Sequence, residues 1–138
     1  MYKISIFYAI ILTINSRRWC NVRKKVRITT ISNDHEVRYD TKAIIHDNSI
    51  VYIEKDDKKT KTYFNYDKNQ LIRENKELSL KYNFDENQKT SGQLLVYELQ
   101  KYVTLKIETK KLVRCDYNIE IDFMVENEPI KYKIEVIK

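Results

Sequence analysis

The sequence predicts an all-β domain, a single antiparallel up-and-down barrel of about 8 to 10 strands of ordinary length. Three observations lead to this prediction. Apolar residues recur with a period of two from Lys24 onward, short clusters containing Asn and Asp separate the runs, and no run has the 3.6-residue period of a helix. An open meander of this length would leave two unpaired edges, which closure into a barrel removes.

The alternation assigns one face of each strand to the barrel interior. It is clearest in the C-terminal third, where apolar side chains alternate with Thr, Lys, Glu and Asp. Because successive side chains of a strand point to opposite faces, each run contributes a single apolar face to a shared core. In chain order, the predicted inward sets are Val26, Ile28 and Thr30; Val37, Tyr39, Thr41, Ala43 and Ile45; Thr62, Phe64 and Tyr66; Leu78, Leu80, Tyr82 and Phe84; Val103, Leu105 and Ile107; Ile119, Ile121, Phe123 and Val125; and Ile130, Tyr132, Ile134 and Val136.

The turns between these strands must form almost without glycine. The chain has one glycine, Gly92, and one proline, Pro129. Asn and Asp tolerate the left-handed backbone conformation that tight turns require, so we expect them to take the place of glycine. The predicted turns are Ser32-Asn33-Asp34, His46-Asp47-Asn48, Asp67-Lys68-Asn69, Asp85-Glu86-Asn87, Asp116-Tyr117-Asn118 and Glu126-Asn127-Glu128.

Residues 1–21 differ from the rest and form an N-terminal hydrophobic and basic extension to a barrel domain at 22–138. Their apolar run ends at Ile14 and resembles the start of a signal peptide, but no small-residue cleavage site follows, and Arg17 and Arg18 come next. The run is shorter than the roughly 20 residues of a spanning helix, so we expect no stable membrane insertion. Three interpretations stay open: an extra strand or helix on the domain, a degenerate export signal, or sequence upstream of the true start. We favour the third and expect deletion to leave the fold almost unchanged.

The composition argues against catalysis and metal binding. The formal net charge is +6, and residues 1–21 contribute three basic side chains and no acid to it. Two cysteines, Cys20 and Cys115, and two histidines, His35 and His46, do not have the ligand spacing of a zinc site. A single glycine excludes a glycine-rich phosphate loop. We therefore expect a protein that is not an enzyme, with no metal and no cofactor, and with free cysteines in a reducing cytoplasm.

Two stretches of the chain, Phe84–Gly92 and Lys101–Leu112, resemble a known family. They are similar to the bacterial YwiB-like family of uncharacterised calycin-type barrels, and the resemblance extends over about residues 22–138. Val103 departs from it, since the family has glycine there, and Lys101 stands where the family often has proline. The resemblance implies a lipocalin-like barrel in a cytoplasmic bacterial protein, with no established activity and no catalytic residues to carry over. The matching positions are Phe84, Gly92, Tyr102, Leu105, Thr109, Leu112 and Asn127, together with the run from Tyr117.

Hydroxyl-bearing side chains on the inward faces suggest a ligand site in the lumen. A pocket for a small molecule is usually apolar with a few converging polar groups. The alternative is a filled core in which the hydroxyls satisfy one another or reach the barrel mouth. The leading hypothesis is a barrel that holds a small, largely apolar ligand, and the candidate lining residues are Tyr39, Thr62, Tyr66, Tyr82, Thr109 and Tyr132.

A second hypothesis assigns the outer face to RNA or to a ribonucleoprotein. Basic strands interleaved with aromatic residues are one way to bind single-stranded nucleic acid. Acidic residues such as Glu108, Glu120 and Glu135 share the predicted outer face and weaken its positive charge. The outer residues on which this hypothesis depends are Lys81, Lys106, Lys131 and Lys133, with Tyr63 and Tyr97.

Overall fold

The computed structural model describes residues 21–138, which form ten antiparallel strands joined in chain order. Each strand pairs with its neighbours in sequence, and the first strand also pairs with the last, from Val26 opposite Val136 to Ser32 opposite Ile130. The closed up-and-down barrel predicted from the alternation is thereby confirmed. The strands are β1 (Asn21–Ser32), β2 (His35–His46), β3 (Ser49–Ile53), β4 (Lys61–Asn65), β5 (Gln70–Glu74), β6 (Leu78–Asn83), β7 (Lys89–Val96), β8 (Lys101–Cys115), β9 (Asn118–Val125) and β10 (Glu128–Val136).

The turns use Asn and Asp in the left-handed conformation, as predicted. Each of the six predicted turn clusters contains at least one non-glycine residue with a positive φ, such as Asn33 at 51° and Asn127 at 69°. Lys59 and Gln100 adopt the same conformation in the β3–β4 and β7–β8 connections. Short polar side chains meet the conformational requirement of the turns, so hairpins close without glycine.

The predicted inward faces meet in one core that fills the middle of the barrel. Ile28 lies opposite Ile134 across the β1–β10 seam, and both side chains are fully buried. A register shift between Thr109 and Lys111 in β8 inserts one extra residue, so Leu112 returns to the interior two positions after Lys110. This bulge changes which side chains at the end of β8, the longest strand, face the interior.

The two ends of the barrel differ in packing. At the end that holds the β2–β3, β4–β5, β6–β7 and β8–β9 turns, which we name the plugged end, aromatic rings fill the lumen: Phe64 meets Tyr66 edge-on at 5.1 Å between ring centres, and Phe84 meets Phe123 at 4.7 Å. The Tyr66 hydroxyl donates to the carbonyl of Tyr117 at 2.7 Å. The aromatic rings and this hydrogen bond together close this end of the lumen.

The opposite end, which we name the open end, is less tightly closed. Its inward-facing apolar side chains are only partly buried, although they share a face with the core. Val37, on the inward face of β2, is exposed. The half-buried side chains around this mouth are Tyr39, Leu78, Leu94, Val96, Val103, Leu105, Val125 and Ile130.

The predictions made for residues 1–20 lie outside the described residues. Within 21–138 no helix has the length and apolar character needed to cross a membrane. Cys115 is a free, exposed thiol on β8.

Candidate functional site

An ion pair lies on the inner face of the barrel wall, in the half nearer the open end. Arg73 follows Leu71 on the inward face of β5, and Glu54 comes directly after β3, on the same face as Tyr52. The Arg73 guanidinium donates through Nε to Glu54 Oε2 at 2.6 Å and through Nη2 to Glu54 Oε1 at 2.7 Å. The Glu54 side chain is 15% exposed and the Arg73 side chain 38%, so the guanidinium retains contact with solvent.

The carboxylate of this pair is held by the strand beside it. Thr62, fully buried on β4, donates its hydroxyl to Glu54 Oε2 at 2.5 Å, and the Glu54 amide donates to the Thr60 carbonyl at 2.7 Å. Asp56 then accepts the Thr60 amide and hydroxyl, at 2.8 and 2.6 Å. Burial alone would lower the pKa of Arg73, but the hydrogen bond and negative charge of Glu54 outweigh it and raise that pKa. The Arg73 guanidinium therefore stays charged.

Two buried tyrosines join each other across the lumen next to the ion pair. The hydroxyls of Tyr52 on β3 and Tyr132 on β10 are hydrogen-bonded to one another. Burial raises the pKa of both phenols well above the ordinary value, because ionisation would place a charge in an apolar interior. Both hydroxyls are therefore neutral at physiological pH and satisfy one another.

Two further tyrosine hydroxyls near the ion pair are not satisfied in this way. Neither Tyr39 nor Tyr82 makes a side-chain hydrogen bond to another residue in 21–138. The buried side-chain atoms without a hydrogen-bond partner in this part of the chain are Thr29 Oγ1 and Asp122 Oδ1, and neither tyrosine hydroxyl is among them. Burial raises the pKa of both phenols, and the positive charge of Arg73 acts in the opposite direction on each.

Together these groups can bind a hydrogen-bond acceptor. A guanidinium carries five N–H donors, and Glu54 takes two of those on Arg73. The Arg73 charge acts on the hydroxyls of both Tyr39 and Tyr82, so these groups lie near one another, and the Tyr82 ring packs edge-on against Phe84 and Phe123. An apolar mouth above a few polar groups is the usual composition of a small-molecule site.

The structure brings four of the six predicted lining residues to this cluster. Tyr39, Thr62, Tyr82 and Tyr132 surround the ion pair or contact it. Tyr66 and Thr109 face inward as predicted but lie at the plugged end, where they bond to the backbone. Tyr66 donates to the Tyr117 carbonyl, and Thr109 accepts the Asp85 amide at 3.2 Å.

Three residues of the cluster were not predicted: Tyr52, Glu54 and Arg73. Their signal in the sequence is the alternation itself, since Ile50, Tyr52 and Glu54 are two residues apart, as are Leu71 and Arg73. Strands β3 and β5 have only five residues each. Such short runs are weak evidence of a period of two, and a charged residue at an inward position contradicts the usual assignment to solvent.

The outer basic residues proposed for RNA binding are partly neutralised. Lys131 lies 3.9 Å from Asp122 and Lys133 lies 3.7 Å from Glu135. Tyr63 does lie on the outer face, but it is buried there and offers little ring surface for base stacking. The RNA hypothesis stays a prediction. Among residues 21–138, no three His, Cys, Asp or Glu side chains cluster closely enough to hold a metal ion.

Comparison with solved structures identifies a neighbour of the whole barrel. The crystal structure of the ywiB protein from Bacillus subtilis matches with a TM-score of 0.60, covering 86% of this chain and 94% of that chain at 14% identity. The chain has the fold of the ywiB protein. No family model matches the sequence. No curated protein gives a significant match. The resemblance stated from the sequence and this structural neighbour agree on a closed antiparallel β-barrel.

Proposed function

We propose that this chain is a calycin-type barrel that is not an enzyme and binds a small molecule through the open end of its lumen. The ligand has an apolar body and an acceptor head, such as a carboxylate or carbonyl group. The observation that carries the proposal is the pairing of half-buried inward apolar side chains with an inward-facing Arg73 that keeps unused donors.

The two parts of the site have separate roles. Transfer of apolar ligand surface from water stabilises the complex by about 25 cal/mol per Å². The head group accepts hydrogen bonds from Arg73, Tyr39 and Tyr82. Because Glu54 already balances the charge of Arg73, the site is close to neutral, and we expect the acceptor head to orient the ligand while the apolar body supplies most of the affinity. Free Cys115 agrees with a reducing cytoplasmic location, which we include in the proposal.

Binding of straight-chain carboxylic acids and of the matching alcohols to the full chain tests the proposal. We expect calorimetry to detect dodecanoate and dodecanol, and a rise in the thermal midpoint with either ligand. Leu94→Trp narrows the mouth from an inward position on β7, so it should abolish binding. Gln93→Trp, the adjacent outward position, is the matched control and should leave binding intact.

A second pair of variants tests the polar head. Glu54→Gln/Arg73→Gln removes both charges together and leaves no unpaired ion. We expect it to weaken the binding of dodecanoate more than the binding of dodecanol. Arg114→Gln, at the plugged end, is the control and should change the affinity for neither ligand. The proposal fails if no apolar ligand raises the midpoint, or if Leu94→Trp binds as the parent does.

A further inference from the structure

The lumen wall near the open end changes from polar to apolar between β5 and β6. The strand pairings connect one row of inward positions across β3 to β8. In order around the barrel, this row consists of Tyr52, Thr62, Arg73, Leu80, Leu94 and Val103. Its first three members carry polar groups, and its last three, on β6 to β8, are aliphatic. The lumen of the described barrel therefore has a polar wall on β3–β5 and an apolar wall on β6–β8.

The apolar wall is open to solvent at its upper part. Both β6 and β8 begin at the open end, so their inward residues follow one another in order of depth. From the open end, the inward residues are Leu78, Leu80, Tyr82 and Phe84 along β6 and its end, and Val103, Leu105 and Ile107 along β8. Exposure falls in the same direction, since Leu78 and Val103 are half-buried, whereas Phe84 and Ile107 are 4% and 1% exposed. Apolar surface thus remains available above a closed layer.

The closed layer is an aromatic floor. The Tyr82 ring packs edge-on against Phe84 and Phe123, at 6.1 and 5.6 Å between ring centres. The hydroxyls of Tyr52 and Tyr132 are hydrogen-bonded to each other and join β3 to β10 across the lumen. A ligand that enters from the open end cannot pass this layer without displacing buried rings.

The depth above the floor limits the length of a ligand. Tyr82 and Leu78 are four residues apart on β6, as are Ile107 and Val103 on β8. At about 3.3 Å per residue and a strand tilt of about 40°, four residues span about 10 Å along the barrel axis. Carbon–carbon bonds of about 1.5 Å advance an extended chain by about 1.25 Å per carbon. A chain of about eight carbons therefore reaches from the level of Tyr82 to the rim.

We propose that the site selects its ligand by length, and that the ligand is a carboxylic acid or carbonyl compound with a body of about eight carbons lying on the β6–β8 wall. This inference rests on the proposed function and adds the size and the position of the ligand. The head group lies beside Arg73 and Tyr82, and the last carbons contact Val103. Carbons beyond this length extend past the rim into water and bury no further apolar surface.

A series of straight-chain carboxylates tests the proposal on the full chain. Calorimetry measures the tighter members directly, and displacement of dodecanoate measures the weaker ones, each below its critical micelle concentration. We expect affinity to rise about fourfold per methylene from butanoate to octanoate. Between octanoate and dodecanoate it should change by less than about twofold in total, because the added methylenes stay in water.

A variant at the rim tests where the end of the chain lies. Val103→Ser removes apolar surface at the inward position nearest the open end of β8, so octanoate should bind about three- to fivefold more weakly. Pentanoate, which ends below the rim, should keep its affinity within about 1.5-fold. Thr104→Ser, at the adjacent outward position, is the matched control and should change neither affinity. Circular dichroism checks the fold of both variants, and the ligand series needs no variant.

The outcomes separate this inference from the proposed function. If no carboxylate or alcohol binds, the proposed function fails and the inference fails with it. If carboxylates bind but affinity climbs steadily through dodecanoate, or stops rising before hexanoate, the proposed function stands and the length limit is wrong. Equal losses for pentanoate and octanoate in Val103→Ser would also overturn the inference, because both chains would then lie at the rim.

Discussion

At the scale of single residues, Gly92 occupies a position from which a side chain is excluded. A Cβ there would lie 2.7 Å from the Lys81 carbonyl oxygen, 2.9 Å from Ile107 Cδ1 and 3.1 Å from Tyr82 Cδ1. The carbonyl belongs to the paired backbone of β6 and cannot withdraw without disturbing the ladder. We expect Gly92→Ala to lower the free energy of unfolding by about 1–3 kcal/mol, measured by urea denaturation.

The adjacent residue provides the control for Gly92→Ala. Ser91→Ala changes an exposed, outward position of the same strand and should leave the urea midpoint within about 0.5 kcal/mol of the parent. Equal effects at the two positions would show that Gly92 is not sterically required.

The buried tyrosines make stability sensitive to alkaline pH. Burial raises the pKa of Tyr52 and Tyr132 in the folded chain, whereas in the unfolded chain each ionises near the ordinary value of about 10. The folded state then binds more protons, so the free energy of unfolding falls as pH rises above about 10. The stabilisation is complete below that pH. Urea midpoints between pH 8 and pH 11 measure the fall.

Removing both hydroxyls should make this alkaline fall shallower. Tyr52→Phe/Tyr132→Phe deletes the two partners together, so neither is left unpaired. Tyr102→Phe, at an exposed position, should keep the slope of the parent. An unchanged slope in the double variant would assign the alkaline sensitivity to other groups.

Alternation predicted part of the candidate site, and its limits are physical. Parity places Tyr39, Thr62, Tyr82 and Tyr132 inside because each shares a face with aliphatic neighbours. The alternation does not specify how far along the barrel axis a residue lies. The prediction therefore grouped Thr109 with these four residues, although Thr109 lies at the plugged end. The ion pair escaped prediction because its two members are 19 residues apart in the chain and stabilise each other only once the strands are paired.

At the scale of elements, the β6–β7 connection closes the plugged end against the bulge of β8. The Asn87 amide donates to the Thr109 carbonyl at 2.9 Å, and the Leu112 amide, beyond the bulge, donates to Glu86 Oε2 at 2.9 Å. The Asp85 amide donates to the Thr109 hydroxyl. The extra residue in β8 therefore allows the β6–β7 connection to hydrogen-bond to β8, although this connection joins two other strands.

Thr109→Val should loosen this closure while preserving the shape of the side chain. The Asp85 amide loses its acceptor, so we expect a cost of about 0.5–1.5 kcal/mol and faster hydrogen exchange at that amide. Thr104→Val, exposed on the outward face of the same strand, is the control and should leave exchange at Asp85 unchanged. Faster exchange in the control alone would contradict the assigned role of Thr109.

Strand prediction succeeded where runs were long and failed to resolve short ones. The alternating sets in β2, β9 and β10 and the set that begins in β6 extend over at least four inward positions, which separates a period of two from chance. Strands β3 and β5 offer only two or three inward positions each, and one position in β5 is Arg73. The β8 bulge leaves only a short signal, since the adjacent outward residues Lys110 and Lys111 interrupt the alternation between Thr109 and Leu112.

At the scale of the whole molecule, the barrel depends on a seam between the first and last strands. Ile134 on β10 is fully buried opposite Ile28. Ile134→Ala should cost about 2–5 kcal/mol, a large part of the 5–15 kcal/mol that stabilises a typical domain. Urea denaturation measures it, with Val113→Ala at an exposed position of β8 as the control. A loss below about 1 kcal/mol would mean that the seam is open in solution.

The two ends of the described barrel differ in packing. Aromatic rings and backbone-bonded hydroxyls fill the plugged end, so under the proposed function the ligand enters from the side of the β1–β2, β3–β4 and β5–β6 connections.

The placement of left-handed residues bears on which genomes can encode this fold. Every glycine codon begins with two guanines, so mutational pressure toward adenine and thymine removes glycine. All ten left-handed positions in residues 21–138 are filled by other amino acids, seven of them by Asn or Asp. At a turn the replacement costs about 1–2 kcal/mol of backbone conformational energy at most. At Gly92 it meets atomic overlap instead. Mutational pressure can therefore replace glycine at every turn of the described barrel, but it cannot replace Gly92 in β7 without atomic overlap.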